Sequence, residues 1–252
     1  MSWKSFAIVI SLIIFGILEN YYPFFNYKQN WKSRICNNLF LGLINILGSS
    51  LTIALLLNWI WQQNIWQGLF HYIRLPWLNL TLAFLFLDLY LYLWHRLMHN
   101  LPLGWFFHQI HHTELAMNIS TTYRFHIVEV IASNIPRLGL IWLFGITQNQ
   151  VLFYDMILAI TLIFQHSNWA LALKIDKSLS CLIVTPNYHR FHHSQVLSES
   201  KSNYASILTI WDKIFNSYYY SPKPENIKLG LSIKNQKLNI VDLLKLPWIS
   251  KY

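Results

Sequence analysis

Long apolar segments separated by short polar ones dominate the chain, and this pattern predicts membrane-spanning helices. A helix that crosses the hydrocarbon core of a bilayer needs about 20 mostly apolar residues. Five segments come close to or reach this length: Ser5–Tyr22, Asn37–Trp61, Leu78–Trp94, Ile127–Ile146 and Val151–Gln165. Because only four residues separate the last two segments, we expect them to form a helical hairpin. The pattern as a whole predicts an all-α membrane protein with about four to five hydrophobic helices.

The first arm of the predicted hairpin carries Asn134, Pro136 and Arg137 near its middle. A proline inside a helix removes a backbone hydrogen bond, and an ionisable residue inside a membrane needs a partner. We therefore expect this arm either to kink or to pack against protein rather than lipid. It need not cross the bilayer fully.

Lys28, Lys32 and Arg34 lie between the first two apolar segments and predict a compact basic loop. Basic loops favour the cytoplasmic side of a membrane. If this loop is cytoplasmic, the third segment ends on the same side and the hairpin leaves from and returns to it. The sequence therefore predicts that every clustered histidine faces the cytoplasm.

Composition supports a membrane protein and a single domain. Hydrophobic residues make up 54% of the 252 residues and charged residues only 12%, whereas soluble domains contain roughly 25% charged residues. The aromatic content of 17% fits rings placed at membrane interfaces. No linker or repeat divides the chain, so we expect one domain over 1–252. Its parts are N-terminal membrane helices (1–77), a core that contains the clustered histidines (78–218) and a C-terminal tail (219–252) of unknown role.

Positive charge is concentrated towards the C-terminus. The whole chain has a net charge of +9, and residues 170–252 carry eleven Lys and Arg against five Asp and Glu, a net of +6. Such a segment can bind nucleic acid, but beside apolar spans it favours anionic lipid headgroups. We therefore expect a membrane partner and no nucleic acid. A solvated tail without a partner remains the alternative.

Ten of the eleven histidines are clustered, and their spacing indicates metal binding. His95 and His99 are four residues apart and share one helical face. The sequence HxxHH occurs twice, and in a helix its first two histidines share a face while the third points about 100° away. The two copies are His108, His111 and His112, and His189, His192 and His193. His71 stands apart and is interpreted as an ordinary polar residue.

Eight histidines in these boxes exceed the three or four ligands of a mononuclear zinc site. Two ions with four to five ligands each would account for them. Neutral imidazole suits iron, zinc, copper and nickel, so ligand type alone leaves the metal open. Asp88 lies on the helical face of His95, inside an apolar segment, and needs a partner there. One interpretation is a hydrogen bond that orients a ligating imidazole; the other is a buried carboxylate with a different donor.

At these residues the chain resembles the fatty acid hydroxylase/sterol desaturase superfamily, the membrane histidine-box di-iron oxygenases. The resemblance covers about residues 88–218. Three positions depart from the family pattern: Ile127, where proline is frequent, and Ala205 and Asn216, which replace glycines. The segments that carry the resemblance are His95-Arg-Leu-Met-His99, Phe107-His-Gln-Ile-His-His112, Asn118-Ile-Ser-Thr-Thr-Tyr-Arg124-Phe-His126-Ile-Val-Glu129, Phe164-Gln-His166-Ser-Asn168, Thr185-Pro-Asn-Tyr-His189-Arg-Phe-His-His-Ser194 and Asn203-Tyr-Ala-Ser-Ile-Leu-Thr-Ile-Trp211-Asp212-Lys-Ile-Phe215.

The resemblance implies a helical membrane fold, a cytosolic helical cap and a pair of iron ions. Zinc can replace such iron during purification. It also implies that His166 is a ninth ligand, and that His126 either binds metal or lies next to the ligands with Arg124 and Glu129. A local salt bridge between Arg124 and Glu129 is the alternative. Further residues of the shared motifs are candidates for contacts around the ligands: Asn118, Asn203 and Asp212. No catalytic residue beyond the metal site is expected.

The activity implied by the resemblance is O₂-dependent hydroxylation, desaturation or monooxygenation of a lipid such as a sterol, fatty acyl chain or ether lipid. Electrons must come from an external donor, a ferredoxin or a cytochrome b5-like protein, because the chain lacks a glycine-rich nucleotide motif and a cysteine cluster. Three alternatives remain open. They are a membrane metal-binding protein or transporter, a scaffold without activity, and a zinc hydrolase.

Overall fold

The structure, a computed structural model, describes residues 3–27, 31–62, 66–221, 224–231 and 238–249. Within these ranges the regular structure is helical, with only isolated β-bridges such as Pro23–Trp169. The α-helices are α1 (Trp3–Tyr21), α2 (Trp31–Gln62), α3 (Pro76–Asn100), α4 (Pro102–His112), α5 (Ile127–Phe144), α6 (Gln148–His166), α7 (Leu173–Leu179), α8 (Pro186–His192), α9 (Leu197–Ser200), α10 (Ile210–Ile214) and α11 (Ile240–Ile249).

Four helices of the described residues are long and apolar enough to cross a membrane: α1, Lys32–Gln62 within α2, α3 and α5. The predicted class, an all-α membrane protein, is therefore confirmed. The fifth predicted segment also forms a helix, α6, but it falls outside this set. Large apolar side chains such as Phe6, Leu51 and Leu55 are exposed on α1 and α2, as expected of surfaces that face lipid.

The predicted basic loop differs from the structure. Helix α2 begins at Trp31, so Lys32 and Arg34 lie in its first turn rather than in a loop. Lys28 lies outside the described residues. Arg34 Nη1 donates a 2.7 Å hydrogen bond to Glu114 Oε1, and this ion pair holds the start of α2 against the segment that follows α4.

The spanning helices pack so that the histidine-bearing ends meet. Helix α1 packs against α6, α2 against α5, and α3 against both α4 and α6. The end of α3, the start of α5 and the end of α6 lie together, next to α4 and α8. At the other end of the bundle, Gly68 and Gly145 approach so closely that a Cβ on Gly145 would lie 2.1 Å from the Gln67 carbonyl oxygen. Gly145 also has φ 67, a conformation that favours glycine.

The polar residues in the middle of α5 pack against protein, which was one of the two expectations for this arm. Pro136 lies inside the helix, and the Tyr90 hydroxyl of α3 donates to the Ser133 carbonyl close to it. Arg137 Nη2 donates a 2.5 Å hydrogen bond to Asp155 Oδ1 of α6. Neighbouring helices thus supply hydrogen-bond partners to the Ser133 carbonyl and to Arg137 in this part of α5.

The C-terminal tail packs onto the core. Leu243 and Leu246 of α11 are buried in a cluster with Leu41 of α2 and Ile110 of α4. Upstream, Leu229 forms an isolated bridge with Ser194. Residues 232–237 of the tail lie outside the described residues. The division into 1–77, 78–218 and 219–252 remains a prediction.

Candidate metal centre

All nine histidines predicted as ligands converge in two adjacent groups. The five-histidine group contains His95, His99, His108, His112 and His192, and the four-histidine group contains His111, His166, His189 and His193. Within each group, one ring nitrogen of every residue lies within 4.8 Å of the others. The structure therefore supports two sites that could each hold a metal ion.

Helical spacing distributes neighbouring histidines between the two groups. In α4, His108 and His112 are four residues apart and enter the five-histidine group, whereas His111 enters the other. In and just after α8, His189 and His193 are four residues apart and His192 points elsewhere. Each HxxHH box thus serves both groups, because residues four apart share a helical face and their neighbour does not.

The spacing of the ring nitrogens fits imidazoles around a metal. A metal lies about 2.0–2.1 Å from an imidazole nitrogen, so two ligands on one ion are about 2.8–3.4 Å apart at octahedral or tetrahedral angles. The Nε2 atoms of His95 and His192 are 2.9 Å apart. His166 Nε2 lies 3.1 Å from the Nε2 atoms of both His111 and His189.

Several of these nitrogens are buried without another partner. The Nε2 atoms of His99, His108 and His112 have no hydrogen-bond partner among the described residues. A buried polar atom without a partner is costly. A metal ion bound by these atoms would remove that cost, so the donor set fits a metal.

Hydrogen bonds to the other ring nitrogen fix how most of the imidazoles point. The Nδ1 of His95 donates to the Tyr204 carbonyl at 2.9 Å, and the Nδ1 of His192 donates to the Ser202 carbonyl at 2.7 Å. His166 Nδ1 donates to the Leu162 carbonyl at 2.7 Å. An Nδ1 proton used in this way leaves Nε2 unprotonated, which is the form that binds metal.

Glu129 orients one ligand through its carboxylate. Its Oε1 accepts a 2.7 Å hydrogen bond from His108 Nδ1, and both side chains are buried. A carboxylate on the outer nitrogen fixes the tautomer of a ligating imidazole and raises its basicity. Glu129 therefore lies beside the ligands, as the resemblance implied, but its partner is His108 rather than Arg124.

Burial keeps five of these histidines neutral. It lowers the pKa of His111, His112 and His193, and neighbouring imidazoles lower these pKa values further. The same two causes lower the pKa of His189 and His192. Since only neutral imidazole binds metal, these side chains are ready to bind a cation at neutral pH.

Asp88 does not contact a histidine in the described structure. Its carboxylate accepts hydrogen bonds from Trp211 Nε1 at 2.8 Å, from the Leu208 amide at 3.2 Å and from the Tyr154 hydroxyl at 3.3 Å. The expectation that it orients a ligand is replaced by the alternative of a buried carboxylate with other donors. Asp88 ties α3 to α6 and to the segment that leads into α10.

His126 lies outside both histidine groups. Its Nδ1 accepts from the Val128 amide at 3.2 Å, so the ring caps the start of α5. Its Nε2 donates to the Leu244 carbonyl of α11 at 3.3 Å. Both ring nitrogens are thereby occupied, and the expectation that His126 binds metal or contacts the ligands is corrected.

Arg124 and Asn118 shape the segment that follows α4. Arg124 is buried and donates to the Ile110 carbonyl at 3.0 Å and to Thr113 Oγ1 at 2.7 Å. Its ion-pair partner is Glu114, at 3.6 Å, so the expected pairing with Glu129 is not formed. The Arg124 carbonyl accepts from His111 Nδ1 at 3.3 Å. Asn118 caps the 3₁₀ turn Ile119–Tyr123 and contacts no ligand histidine.

Asn203 and Asp212 act on the ligands through the backbone. Asn203 has φ 59, and its side chain donates to the carbonyls of Tyr188 and Tyr219, both at 2.8 Å. Asp212 accepts from the amides of Tyr204 and Ala205 at 2.8 and 2.9 Å. Together they hold the Ser202 and Tyr204 carbonyls that orient His192 and His95. The sequence could not identify these acceptors, because every residue has a backbone carbonyl.

A cavity of about 290 Å³ opens beside both histidine groups and extends between α3, α5 and α6. His95, His108, His111, His166 and His189 lie at one end of it. Its walls are mainly apolar and include Leu91, Trp94, Phe125, Val130, Leu158 and Leu162. The cavity can therefore hold an apolar chain next to the ring nitrogens.

The fold and the site define a helical membrane protein with two adjacent histidine groups beneath an apolar cavity. The family model for fatty acid hydroxylase matches residues 80–217, more than half of the chain, and the chain belongs to this family.

The similar proteins are named for a lipid, an alkylglycerol or a very-long-chain aldehyde. The chain is 30% identical over 151 residues to an ornithine lipid hydroxylase of Rhizobium tropici, covering 58% of this chain and 44% of that protein. It is 29% identical over 194 residues to an alkylglycerol monooxygenase of Danio rerio, covering 73% and 41%. A very-long-chain aldehyde decarbonylase of Oryza sativa is 28% identical over 137 residues, covering 51% and 22%. The chain thus spans less than half the length of these relatives, and no solved structure matches it.

Proposed function

We propose that this protein is an O₂-dependent oxidoreductase that uses two iron ions to oxidise a lipid. The observation that supports this most directly is the convergence of nine imidazoles, five and four to a group, beside an apolar cavity. The ions, when bound, would supply O₂ activation and the abstraction of hydrogen from an unactivated C–H bond. The relatives named above, an ornithine lipid hydroxylase, an alkylglycerol monooxygenase and a very-long-chain aldehyde decarbonylase, support a lipid as substrate.

The overall reaction of a hydroxylase also defines what the protein must receive. One oxygen atom enters a C–H bond and the other leaves as water, so two electrons and two protons are consumed. We propose a ferredoxin or cytochrome b5-like protein as the donor of these electrons. Desaturation would consume the same electrons and protons and yield two molecules of water.

The protein residues position and isolate the substrate. The apolar walls formed by Leu91, Leu158 and Leu162 align a chain with the ring nitrogens of His108 and His111. Exclusion of water from this cavity protects reactive species formed during O₂ reduction from side reactions. Glu129 accepts a hydrogen bond from the Nδ1–H of His108, and this bond keeps His108 Nε2 unprotonated and available for a metal.

Metal content and oxygen incorporation test the proposal. We expect about two irons per chain by elemental analysis in detergent, because two groups are present. His192 and His193 belong to different groups, so His192→Ala and His193→Ala should each lose about one iron and the double variant both. His71→Ala is the matched control and should keep both irons. Lipid extracts incubated with reductant and ¹⁸O₂ should gain labelled products with the wild type only.

Other results would contradict the proposal. Less than one metal per chain, or equal metal in wild type and double variant, would show that the histidine groups are not the binding site. Product formation that continues without O₂ and reductant would instead indicate a zinc hydrolase.

A further inference from the structure

The segment that carries α10 reaches well below the end of a spanning helix. The Leu208 amide and Trp211 Nε1 both donate to Asp88 Oδ2 of α3, at 3.2 and 2.8 Å. Asp88 lies midway along α3, about 18 Å from its histidine-side end. Because α3 is only about 8 Å longer than a 30 Å hydrocarbon core, Asp88 lies about 10 Å or more inside that core. The start of α10 therefore packs against α3 at the depth of the lipid chains.

Exposed apolar side chains cover the outer face of this segment. Ile210 and Ile214 are four residues apart on one face of α10 and are 44% and 56% exposed. Leu182 is 69% exposed, and its carbonyl accepts from the Thr209 amide at 3.2 Å, so it lies beside the start of α10. Leu179 at the end of α7 is also exposed. A contiguous apolar surface of this kind marks an interaction site, and at this depth the available partner is lipid.

Helix α7 begins at the level where spanning helix α1 ends. The Ala170 amide donates to the Tyr22 carbonyl at 2.8 Å, one residue after α1 ends at Tyr21. Helix α7 starts close by, at Leu173. It therefore runs from the membrane surface towards α10, which places its side chains at the level of the lipid headgroups.

The exposed charges on α7 and α10 are all positive. Each helix has one acidic residue, Asp176 in α7 and Asp212 in α10, and both are fully buried. The exposed basic residues of the two helices are Lys174, Lys177 and Lys213. Lys213 Nζ donates to the Cys181 carbonyl at 2.6 Å, which holds its ammonium group at the edge of the apolar surface. Lysine side chains beside a membrane extend in this way to bring their charge to the headgroups.

We propose that α7 and α10 form an interfacial patch that lies in the leaflet at the histidine end and binds anionic lipid headgroups. The patch consists of Leu179, Leu182, Ile210 and Ile214, which contact lipid chains, and Lys174, Lys177 and Lys213, which contact the headgroups. A lysine near a membrane surface strengthens attraction to anionic lipid about fivefold. The proposal assigns the recognition of anionic lipid to these two helices rather than to the basic C-terminal segment as a whole.

The patch also adjoins the cavity beside the histidines. Ala205 and Ser206 line that cavity, and α10 begins four residues after Ser206, at Ile210. Contact between the patch and the leaflet therefore holds this wall of the cavity against the lipid.

Quenching of a fluorophore by spin-labelled lipids tests both parts of the proposal. In the full chain with Cys36→Ser and Cys181→Ser, bimane is attached at Leu182→Cys, and the protein is reconstituted into phosphatidylcholine vesicles. A small fraction of the lipid carries a nitroxide on its acyl chain, as either phosphatidylcholine or phosphatidylglycerol. Bimane at Lys201→Cys, an exposed position after α9, is the matched control.

We expect both spin-labelled lipids to quench bimane strongly at position 182 and weakly at position 201, because only the patch contacts lipid chains. At position 182, phosphatidylglycerol should be enriched about fivefold over phosphatidylcholine, the effect of one lysine charge. Lys177→Gln combined with Lys213→Gln should abolish most of this enrichment and keep the quenching. Lys201→Gln combined with Lys228→Gln removes the same charge from exposed positions outside the patch and should leave the enrichment unchanged.

Three results would overturn the proposal. Absence of quenching at position 182 would show that the patch faces water, and an acidic protein would then be the partner that fits its charge. Equal association of the two lipids with the wild type, or undiminished enrichment in the folded Lys177→Gln, Lys213→Gln variant, would show that these lysines do not recognise anionic headgroups. If that variant does not fold, as judged by gel filtration, 1 M salt replaces it, since screening to about 3 Å should remove the enrichment in the wild type. No turnover occurs in this assay, so its result is independent of the oxygenase proposal.

Discussion

Glu129 and His126 lie three residues apart at the start of α5, yet their partners differ completely. Glu129 Oε1 binds the outer nitrogen of His108, whereas His126 uses both of its nitrogens on the backbone of α5 and α11. The ring of His126 also packs against Phe107 and Trp248, with ring centroids 5.1 and 5.8 Å apart. A histidine bonded in this way stabilises a helix start and has no free nitrogen for a metal.

His126→Ala should therefore reduce stability without removing metal. Loss of a capping side chain costs about 1 kcal/mol of unfolding free energy. We expect a lower thermal unfolding temperature but the same iron content per folded chain as the wild type. His108→Ala is the comparison and should lose about one iron, because its Nε2 belongs to the five-histidine group. Equal loss of iron in both variants would show that His126 is a ligand.

At the scale of elements, the segment between α9 and α10 positions two ligands from outside their own helices. The Ser202 and Tyr204 carbonyls flank Asn203 and accept from His192 and His95. Asn203 and Asn216 both have positive φ, a conformation that asparagine tolerates better than most residues. This explains why Asn216 can replace a glycine of the family pattern. Similarly, Ile127 occupies the first position of α5, which is where proline is favoured.

Asn203→Ala should weaken the five-histidine group selectively. Its side chain donates to the Tyr188 and Tyr219 carbonyls, and loss of these bonds loosens the turn that carries the Ser202 and Tyr204 carbonyls. Contacts that orient ligands are typically worth 10–100-fold in metal affinity. In a chelator titration, we expect iron of the five-histidine group to be released about 10–100-fold more readily, while release of iron from the four-histidine group is unchanged. Asn203→Gly, which tolerates positive φ but also lacks the side chain, should behave the same way. Rescue by glycine would indicate that backbone conformation alone matters, and equal weakening of both irons would contradict the assignment.

Local pattern explains which parts of the site the sequence could predict. The three histidine boxes lie in or next to helices, where spacings of three and four residues decide which face a side chain shares, so their convergence was foreseeable. Asp88 was harder, because its partners Leu208 and Trp211 lie about 120 residues further along the chain. The role of His126 was equally hard to predict, because the acceptor of its Nε2 is the Leu244 carbonyl of α11. No local periodicity encodes contacts at such separations.

At the scale of the whole molecule, the histidine groups lie at one end of the bundle. Tyr21 at the end of α1, Arg34 at the start of α2 and His166 at the end of α6 all lie near this end, and the Gly68–Gly145 contact lies at the other. The fold therefore agrees with the predicted alternation of helices across the membrane. That this end faces the cytoplasm remains a prediction, which rests on the basic residues Lys32 and Arg34 because basic flanks favour that side.

Two native cysteines can report this orientation. Cys181, between α7 and α8 in the cap, and Cys36, near the start of α2, are free and exposed, and both lie towards the histidine end. We expect a membrane-impermeant maleimide to label Cys181 only after the cells are permeabilised, because the predicted cytoplasmic side is closed to the reagent. In a variant with Cys36→Ser and Cys181→Ser, Asn149→Cys at the exposed start of α6 should instead be labelled in intact cells. The reverse pattern would place the histidines on the outer face, where a cytosolic ferredoxin or cytochrome b5-like protein could not reach them, and the proposed electron donor would have to be abandoned.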